Sequence, residues 1–182
     1  HHTVAQAVAA ERLPRPFSLA LCLEDTVRAD ALAAAEQAVE QTLHDLTDTA
    51  RQETFYRPLT FVRVRSPEQL ARLGRAYGKY RPLLTGFILP KFFIETCGAY
   101  CAVIRDLQAD GLDYFYMPVF EAPSLLPLHT RHAALAEVKA QLDALRECIL
   151  NIRVGGNDLC HVFGLRRDPG HTIYDLRPVA DV

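Results

Sequence analysis

The sequence predicts an α/β fold in which parallel strands alternate with helices. Short apolar runs recur along the chain, each run ends in a polar residue, and a stretch of helical composition follows. A strand–helix repeat of this kind requires parallel strands joined by crossover helices. The fold is therefore either a doubly wound sheet or a (β/α) barrel.

Five apolar runs are predicted to be strands. They are rich in Leu, Ile, Val, Phe and Tyr, and most are apolar on both faces, as expected for the buried strands of a parallel sheet. In chain order they cover residues 17–23, 59–65, 86–89, 114–120 and 148–154.

A helix is predicted after each strand. Residues 31–46 are rich in Ala, Glu and Gln, which favour helix. Ser66, Pro67 and Glu68 supply a capping residue, a proline in the first turn and an early acid for the next helix. The other predicted helices cover residues 95–109, 132–145 and 159–165, with a short helix within residues 3–13 and a sixth strand at residues 178–182.

The choice between the two architectures depends on the strand ends. A dinucleotide-binding sheet should have a Gly-rich turn after its first strand, but Glu24, Asp25 and Thr26 occupy that turn. A barrel is favoured because the polar residues at the strand ends would converge on one mouth. A closed barrel takes roughly 250 residues. The 182 residues therefore predict a single, incomplete TIM-type barrel domain with five or six βα units.

Composition excludes several classes of protein. Apolar residues make up 49% and charged residues 23%, the balance of a globular domain. The net charge is −2 and no Lys/Arg run occurs, which argues against a nucleic-acid surface. Charged residues interrupt every long apolar run, which argues against a membrane span. Five cysteines without a CxxC motif predict a reducing, cytoplasmic location rather than a disulfide scaffold.

The polar residues at the strand ends are the candidate active-site residues. Glu121 and Asp158 are a pair of carboxylates suited to Mg²⁺, which takes few protein carboxylates and leaves positions for substrate oxygens. The lack of an accompanying His or thiolate set disfavours zinc. The full set is Glu24 and Asp25, Arg63 or Arg65, Lys91, Glu121 and Asp158.

A metal beside an arginine suits an α-keto acid. The metal would chelate the carboxylate and carbonyl oxygens and stabilise an enolate, while the planar guanidinium of Arg63 binds a carboxylate. Gly155 and Gly156 let the chain pass close to a ligand, so these glycines and Asn157 are candidate substrate-binding residues. The alternative is that Asp25, Glu121 and Asp158 only cap the helices that follow them.

At these residues the chain resembles the citrate lyase β-subunit-like group of the HpcH/HpaI aldolase superfamily. More narrowly, it resembles the C–C bond lyase branch of the TIM-barrel fold that is found near tellurium-resistance stress genes. The similar segments, in family order, are LEDTV at residues 23–27, VRV at 62–64, LPK at 89–91, FEAP at 120–123 and GGNDL at 155–159.

The resemblance implies a Mg²⁺-dependent (or Mn²⁺-dependent) barrel in which Glu121 and Asp158 hold the metal. The arginine matching Arg63 would bind the substrate carboxylate, and Glu24 and Asp25 would orient metal-bound water. Lys91 belongs to the same catalytic set. Relatives act on small carboxylates or their coenzyme A thioesters and assemble as trimers or hexamers. The chain departs from many relatives at residues 92–93, where two phenylalanines follow the lysine.

Three functions remain open at this point. The first is a metal-dependent C–C lyase or aldolase acting on a small oxo- or hydroxy-carboxylate. The second is an acyl-thioester hydrolase or another pyruvate/phosphoenolpyruvate-domain enzyme, which would keep the same metal and arginine. The third is a non-catalytic barrel subunit of a stress-response system.

Overall fold

A computed structural model describes residues 4–166 and 168–181 of the chain. Its centre is a five-stranded sheet in which every neighbouring pair is parallel and the strands follow their order in the sequence. The strands are β1 (Ser18–Cys22), β2 (Leu59–Arg63), β3 (Leu84–Leu89), β4 (Phe115–Phe120) and β5 (Arg153–Val154).

Seven α-helices lie within the residues that the structure describes. Ser66 caps the third of them as predicted, because its hydroxyl accepts a hydrogen bond from the main-chain N–H of Gln69 at 3.3 Å and Pro67 fills the first turn. The helices are α1 (Val4–Ala9), α2 (Leu32–Gln52), α3 (Pro67–Ala76), α4 (Cys97–Ala109), α5 (Leu128–Asp143), α6 (Gly156–Val162) and α7 (Arg177–Ala180). Among the described residues, no helix is long and apolar enough to cross a membrane.

The strand order confirms the barrel type of α/β fold. A doubly wound sheet reverses its strand order at a switch point, whereas this sheet runs from β1 to β5 without reversal. Right-handed crossovers between successive neighbouring strands place all the connecting helices on one face, as in a barrel. The main hydrophobic core lies between that face and α2 to α5. A closed barrel has eight strands, and the described residues supply five of them.

The other face of the sheet carries a smaller apolar cluster. Phe61, Ile88, Met117 and Val119 form it, and each is almost fully buried. Side chains alternate between the two faces of a strand, so the residues two positions beyond Phe61 and Val119 point to the same inner face. Those residues are Arg63 and Glu121.

Several details of the prediction are wrong. Helix α2 ends six residues later than predicted, and α5 begins four residues earlier. The fifth strand is reduced to Arg153–Val154, with one isolated bridge at Ile149, and a 3₁₀ turn at Arg146–Cys148 occupies the start of the predicted run. Helix α6 begins at Gly156 rather than at residue 159. The described part of the predicted sixth strand is helical, because Pro178 occupies the first turn of α7, a position that proline favours. Thr3, at the start of the first predicted helix, and Val182, at the end of the sixth strand, lie outside the described residues.

Candidate active site

The carboxyl ends of β1, β2 and β4 bring two carboxylates onto one guanidinium. Glu24 and Glu121 lie 97 positions apart in the numbering yet contact the same nitrogen, Arg63 Nη2, at 2.8 Å and 3.2 Å respectively. Both acids are almost fully buried, and the arginine side chain is 27% exposed. Buried charges are costly unless they are paired. This mouth therefore holds an organised ionic cluster rather than three independent surface charges.

Lys91 ties the β3 end to the same cluster. Its main-chain N–H donates to Glu121 Oε1 at 2.9 Å, and its ammonium group donates to Glu24 Oε1 at 2.9 Å and to Asp25 Oδ1 at 3.4 Å. The residue has a positive φ of 50°, a conformation that a non-glycine side chain seldom adopts. The hydrogen bond to Glu24 raises the pKa of Lys91, so its side chain stays a cation.

The pKa values of the Glu121 and Asp25 carboxyls are shifted in opposite directions. Burial raises the pKa of Glu121 to about 7, although the Lys91 N–H and Arg63 oppose the shift, and the neighbouring Asp158 carboxyl raises it further. Glu121 and Asp158 line the same cavity, as the sequence predicts. Asp25 behaves differently: burial alone would raise its pKa, but Glu24 and Lys91 lower it.

The Gly-Gly loop packs directly against Glu121. The Gly155 N–H donates to Phe120 O at 3.0 Å, and a Cβ on Gly155 would lie 2.1 Å from Glu121 Oε2 and 2.4 Å from Glu121 Cβ. Only glycine fits this approach. The loop and the strand ends enclose a cavity of about 360 Å³. Its lining includes Asp25, Arg63, Glu121, Arg153, Gly155, Gly156, Asn157 and Asp158.

The structure resolves the alternative between Arg63 and Arg65. Arg63 contacts carboxylates, whereas Arg65 donates to main-chain carbonyls of the β1 loop, including Leu23 O at 2.7 Å and Val27 O. Strand β2 ends at Arg63, so the alternation of the strand no longer directs Arg65. Arg65 holds the loop that carries Glu24, and Arg63 faces the cavity.

The helix-capping alternative does not account for the acids. The N-cap of the 3₁₀ turn after β1 is Arg28, that of α5 is Pro127 and that of α6 is Gly155, and none of these caps is made by a side chain. Asp158 lies in the first turn of α6, where the helix dipole favours an acid. None of the three candidate acids is an N-cap residue.

Sequence reasoning missed Arg153 as a cavity residue. It pairs with Val119 across the β4–β5 ladder, and paired residues of parallel strands point to the same face. Its side chain lines the cavity. The alternation of side chains along the strand could have indicated this role, because Arg153 lies two positions before Gly155 and therefore shares the inner face of its strand.

The donor set suits a hard divalent cation with few protein ligands. Among the described residues, no group of three or more His, Cys, Asp or Glu side chains has the arrangement of a metal site. Magnesium often takes only one or two carboxylates and keeps several waters. The side chains in contact at the mouth comprise four carboxylates and two cations, and Arg153 also lines the cavity. The carboxylates still outnumber the cations, so a divalent cation beside Glu121 and Asp158 would offset the difference. The residues fit Mg²⁺ chemically.

A parallel sheet in sequential order, with acids and cations gathered at the carboxyl ends of its strands, defines an enzyme of the α/β-barrel class. The model of the family described as C–C bond lyase of the TIM-barrel fold matches residues 1–182. The chain belongs to this family, whose general activity is that of a carbon–carbon bond lyase. No curated protein matches the chain significantly.

Proposed function

We propose that this lyase depends on Mg²⁺, with Mn²⁺ as a substitute, and acts on a small oxo- or hydroxy-carboxylate. The observation that carries the proposal is the pairing of Glu121 and Asp158 in a cavity where burial and mutual repulsion raise the pKa of Glu121 to about 7. Two adjacent acids with this excess charge favour a cation. Glu121 and Asp158 are the proposed metal ligands.

Arg63 is the proposed substrate-binding cation. Its Nη2 contacts Glu24 and Glu121, whereas its Nη1 makes no hydrogen bond or ion pair with the residues described. That nitrogen is free to donate to the carboxylate of an oxo-acid at the cavity wall. Glu24 then acts as a positioning residue, because its ion pair fixes the orientation of the guanidinium.

Lys91 supplies positive charge rather than a nucleophile. A lysine that forms an imine with a substrate carbonyl must first be neutral, but hydrogen bonding to Glu24 raises the pKa of Lys91. Mg²⁺, when bound, supplies charge against the enolate that develops as the C–C bond breaks. The ion pair with Lys91 holds Glu24 against Arg63. The loop residues Gly155, Gly156 and Asn157 form the wall against which the substrate lies.

The finer assignment follows from the order of the motifs. We propose that the chain belongs to the HpcH/HpaI, citrate lyase β-like superfamily and to its tellurium-resistance-associated branch. On that basis a coenzyme A thioester is a possible form of the substrate, the protein is a trimer or hexamer, and it acts in the cytoplasm on a small molecule without nucleic acid. The support is that five short motifs occur in family order along one chain.

Ligand-induced thermal stabilisation tests the proposal. Mg²⁺ should raise the melting temperature of the EDTA-treated protein, and oxaloacetate or pyruvate should raise it further only when Mg²⁺ is present. A ligand at 100 times its Kd adds about 2.7 kcal/mol to the free energy of unfolding. Asp158→Ala should abolish both shifts. Glu147→Ala, which removes an acid that is 88% exposed on the surface, should leave them unchanged.

Solvent exchange separates the lyase from the alternatives. In D₂O with Mg²⁺, a metal-dependent lyase should exchange the methyl protons of pyruvate or the α-protons of an acyl thioester, because both reactions pass through an enolate. Hydrolysis of the thioester without exchange would indicate the hydrolase. No Mg²⁺ shift and no exchange with any of these compounds would refute the proposal.

A further inference from the structure

The cavity contains a second arginine that the proposed reaction does not use. Arg153 lines the same cavity as Arg63 and points to the inner face of the sheet, in register with Val119 on β4. Arg153 is exposed, and its guanidinium makes no hydrogen bond or ion pair with any residue in the described ranges. By contrast, Arg63 in the same cavity contacts two carboxylates.

The position of Arg153 separates it from the proposed metal. Gly155, two residues further along the chain, abuts Glu121, so Arg153 lies one inward-facing position below the carboxylates on β5. Both arginines line one cavity, so a substrate held at Arg63 and the metal shares that space with Arg153. An arginine without a partner in a cavity is suited to a planar anion, because its fork can donate two parallel hydrogen bonds.

We propose that Arg153 is a specificity-determining residue that binds a second carboxylate of the substrate. The preferred substrate is then a short oxo- or hydroxy-dicarboxylate, with one carboxylate near Arg63 and the other on Arg153. The inference rests on the proposed function, because it takes the metal and Arg63 as the site of the first carboxylate. A short diacid fits within the cavity of about 360 Å³.

Matched oxo-acids test the proposal by calorimetric binding to the Mg²⁺-loaded protein. Oxaloacetate is compared with 2-oxobutanoate, and 2-oxoglutarate with 2-oxopentanoate, so that each pair differs only in the distal carboxylate. We expect the wild-type protein to bind at least one diacid roughly 10- to 100-fold more tightly than its partner. Arg153→Gln should remove that preference and leave the affinity for the monoacids unchanged.

Two controls separate this inference from the proposed function. Arg105→Gln removes the same charge from the exposed face of α4 and should leave the preference intact. If the oxo-acids bind but neither diacid is preferred, or if Arg153→Gln keeps the preference, the role of Arg153 is refuted and the lyase proposal stands. If no oxo-acid binds the Mg²⁺-loaded wild-type protein, the proposed function fails and the role of Arg153 fails with it.

Discussion

At the scale of single residues, Gly155 is required by the space that Glu121 occupies. A Cβ at Gly155 would lie 2.1 Å from Glu121 Oε2 and 2.4 Å from its Cβ, so a larger residue must displace the carboxylate or the loop. Gly155→Ala should therefore abolish the Mg²⁺-induced rise in melting temperature. In the metal-free protein, Gly155→Ala should lower the free energy of unfolding by about 1–3 kcal/mol, as is typical of overpacking. Differential scanning fluorimetry with and without Mg²⁺ measures both effects.

A second glycine provides the matched control. A Cβ on Gly98, in the first turn of α4, would meet only Gln141 Oε1 at 3.8 Å. Gly98→Ala should leave the Mg²⁺ response unchanged and stabilise the protein by about 0.4–1 kcal/mol, because alanine loses less backbone entropy in a helix. A Gly155→Ala protein that responds to Mg²⁺ like the wild type would show that this contact does not position a metal ligand.

At the scale of secondary-structure elements, Glu36 joins two of the helices that cover the sheet. Its carboxylate on α2 accepts hydrogen bonds from Gln69 Nε2 at 2.7 Å and Arg72 Nη2 at 2.6 Å on α3. The hydrogen bond from Arg72 lowers the pKa of Glu36, and burial only partly opposes it. A carboxyl with a lowered pKa stabilises the fold above its unfolded pKa, and that stability is lost as the pH falls through the folded pKa.

Replacing this carboxyl should change how stability depends on pH. Glu36→Gln should cost up to about 1 kcal/mol at pH 7, a modest effect because the Arg72 side chain is 58% exposed. The difference in the free energy of unfolding between Glu36→Gln and the wild type should vanish well below the folded pKa of Glu36. Urea unfolding at pH 7 and at a pH well below that folded pKa measures it. Glu53→Gln, an exposed acid just after α2, serves as control. An equal loss at both pH values would mean that packing, not charge, links α2 to α3.

At the scale of the whole molecule, the sequence predicts the architecture better than the contacts within the site. Regular alternation of strands and helices, with polar strand ends and no Gly-rich first turn, was sufficient to favour the barrel, and the strand order confirms it. The contacts depend on tertiary geometry. That Glu24 and Glu121 share one nitrogen of Arg63 depends on how the ends of β1 and β4 approach the end of β2, which composition does not encode.

The errors lie where a local pattern fits more than one structure. The run before Arg153 is apolar enough for a buried strand, but its first residue ends a 3₁₀ turn and only Arg153 and Val154 join the ladder. Pro178 is compatible with both an edge strand and the first turn of a helix, and packing of Val179 against α6 decided for the helix. Local sequence patterns predict the type of element correctly where both faces of a strand are buried. They fail where the environment of a strand depends on its position in the sheet.

The charge of the site should reduce the stability of the metal-free molecule. Glu121 is buried beside Asp158, and Arg63 offsets the cost of this arrangement only in part, as functional sites commonly allow. Glu121→Gln removes the charge but keeps an oxygen that can accept the Lys91 N–H. At pH 8, this variant should unfold roughly 2–4 °C above the metal-free wild type, as expected for a gain of about 1 kcal/mol.

The same substitution should remove the response to Mg²⁺. The wild type gains stability on adding Mg²⁺, whereas Glu121→Gln should melt at one temperature with Mg²⁺ or EDTA, because a neutral amide is a poor ligand for a hard cation. Glu147→Gln, on the surface, should behave as wild type in both conditions. A variant that is less stable than the metal-free wild type would show that the Glu121 charge is balanced by Arg63 within the protein itself. The cluster would then be a structural ion pair that needs no metal, since neutralising the acid would leave Arg63 with an unmatched charge.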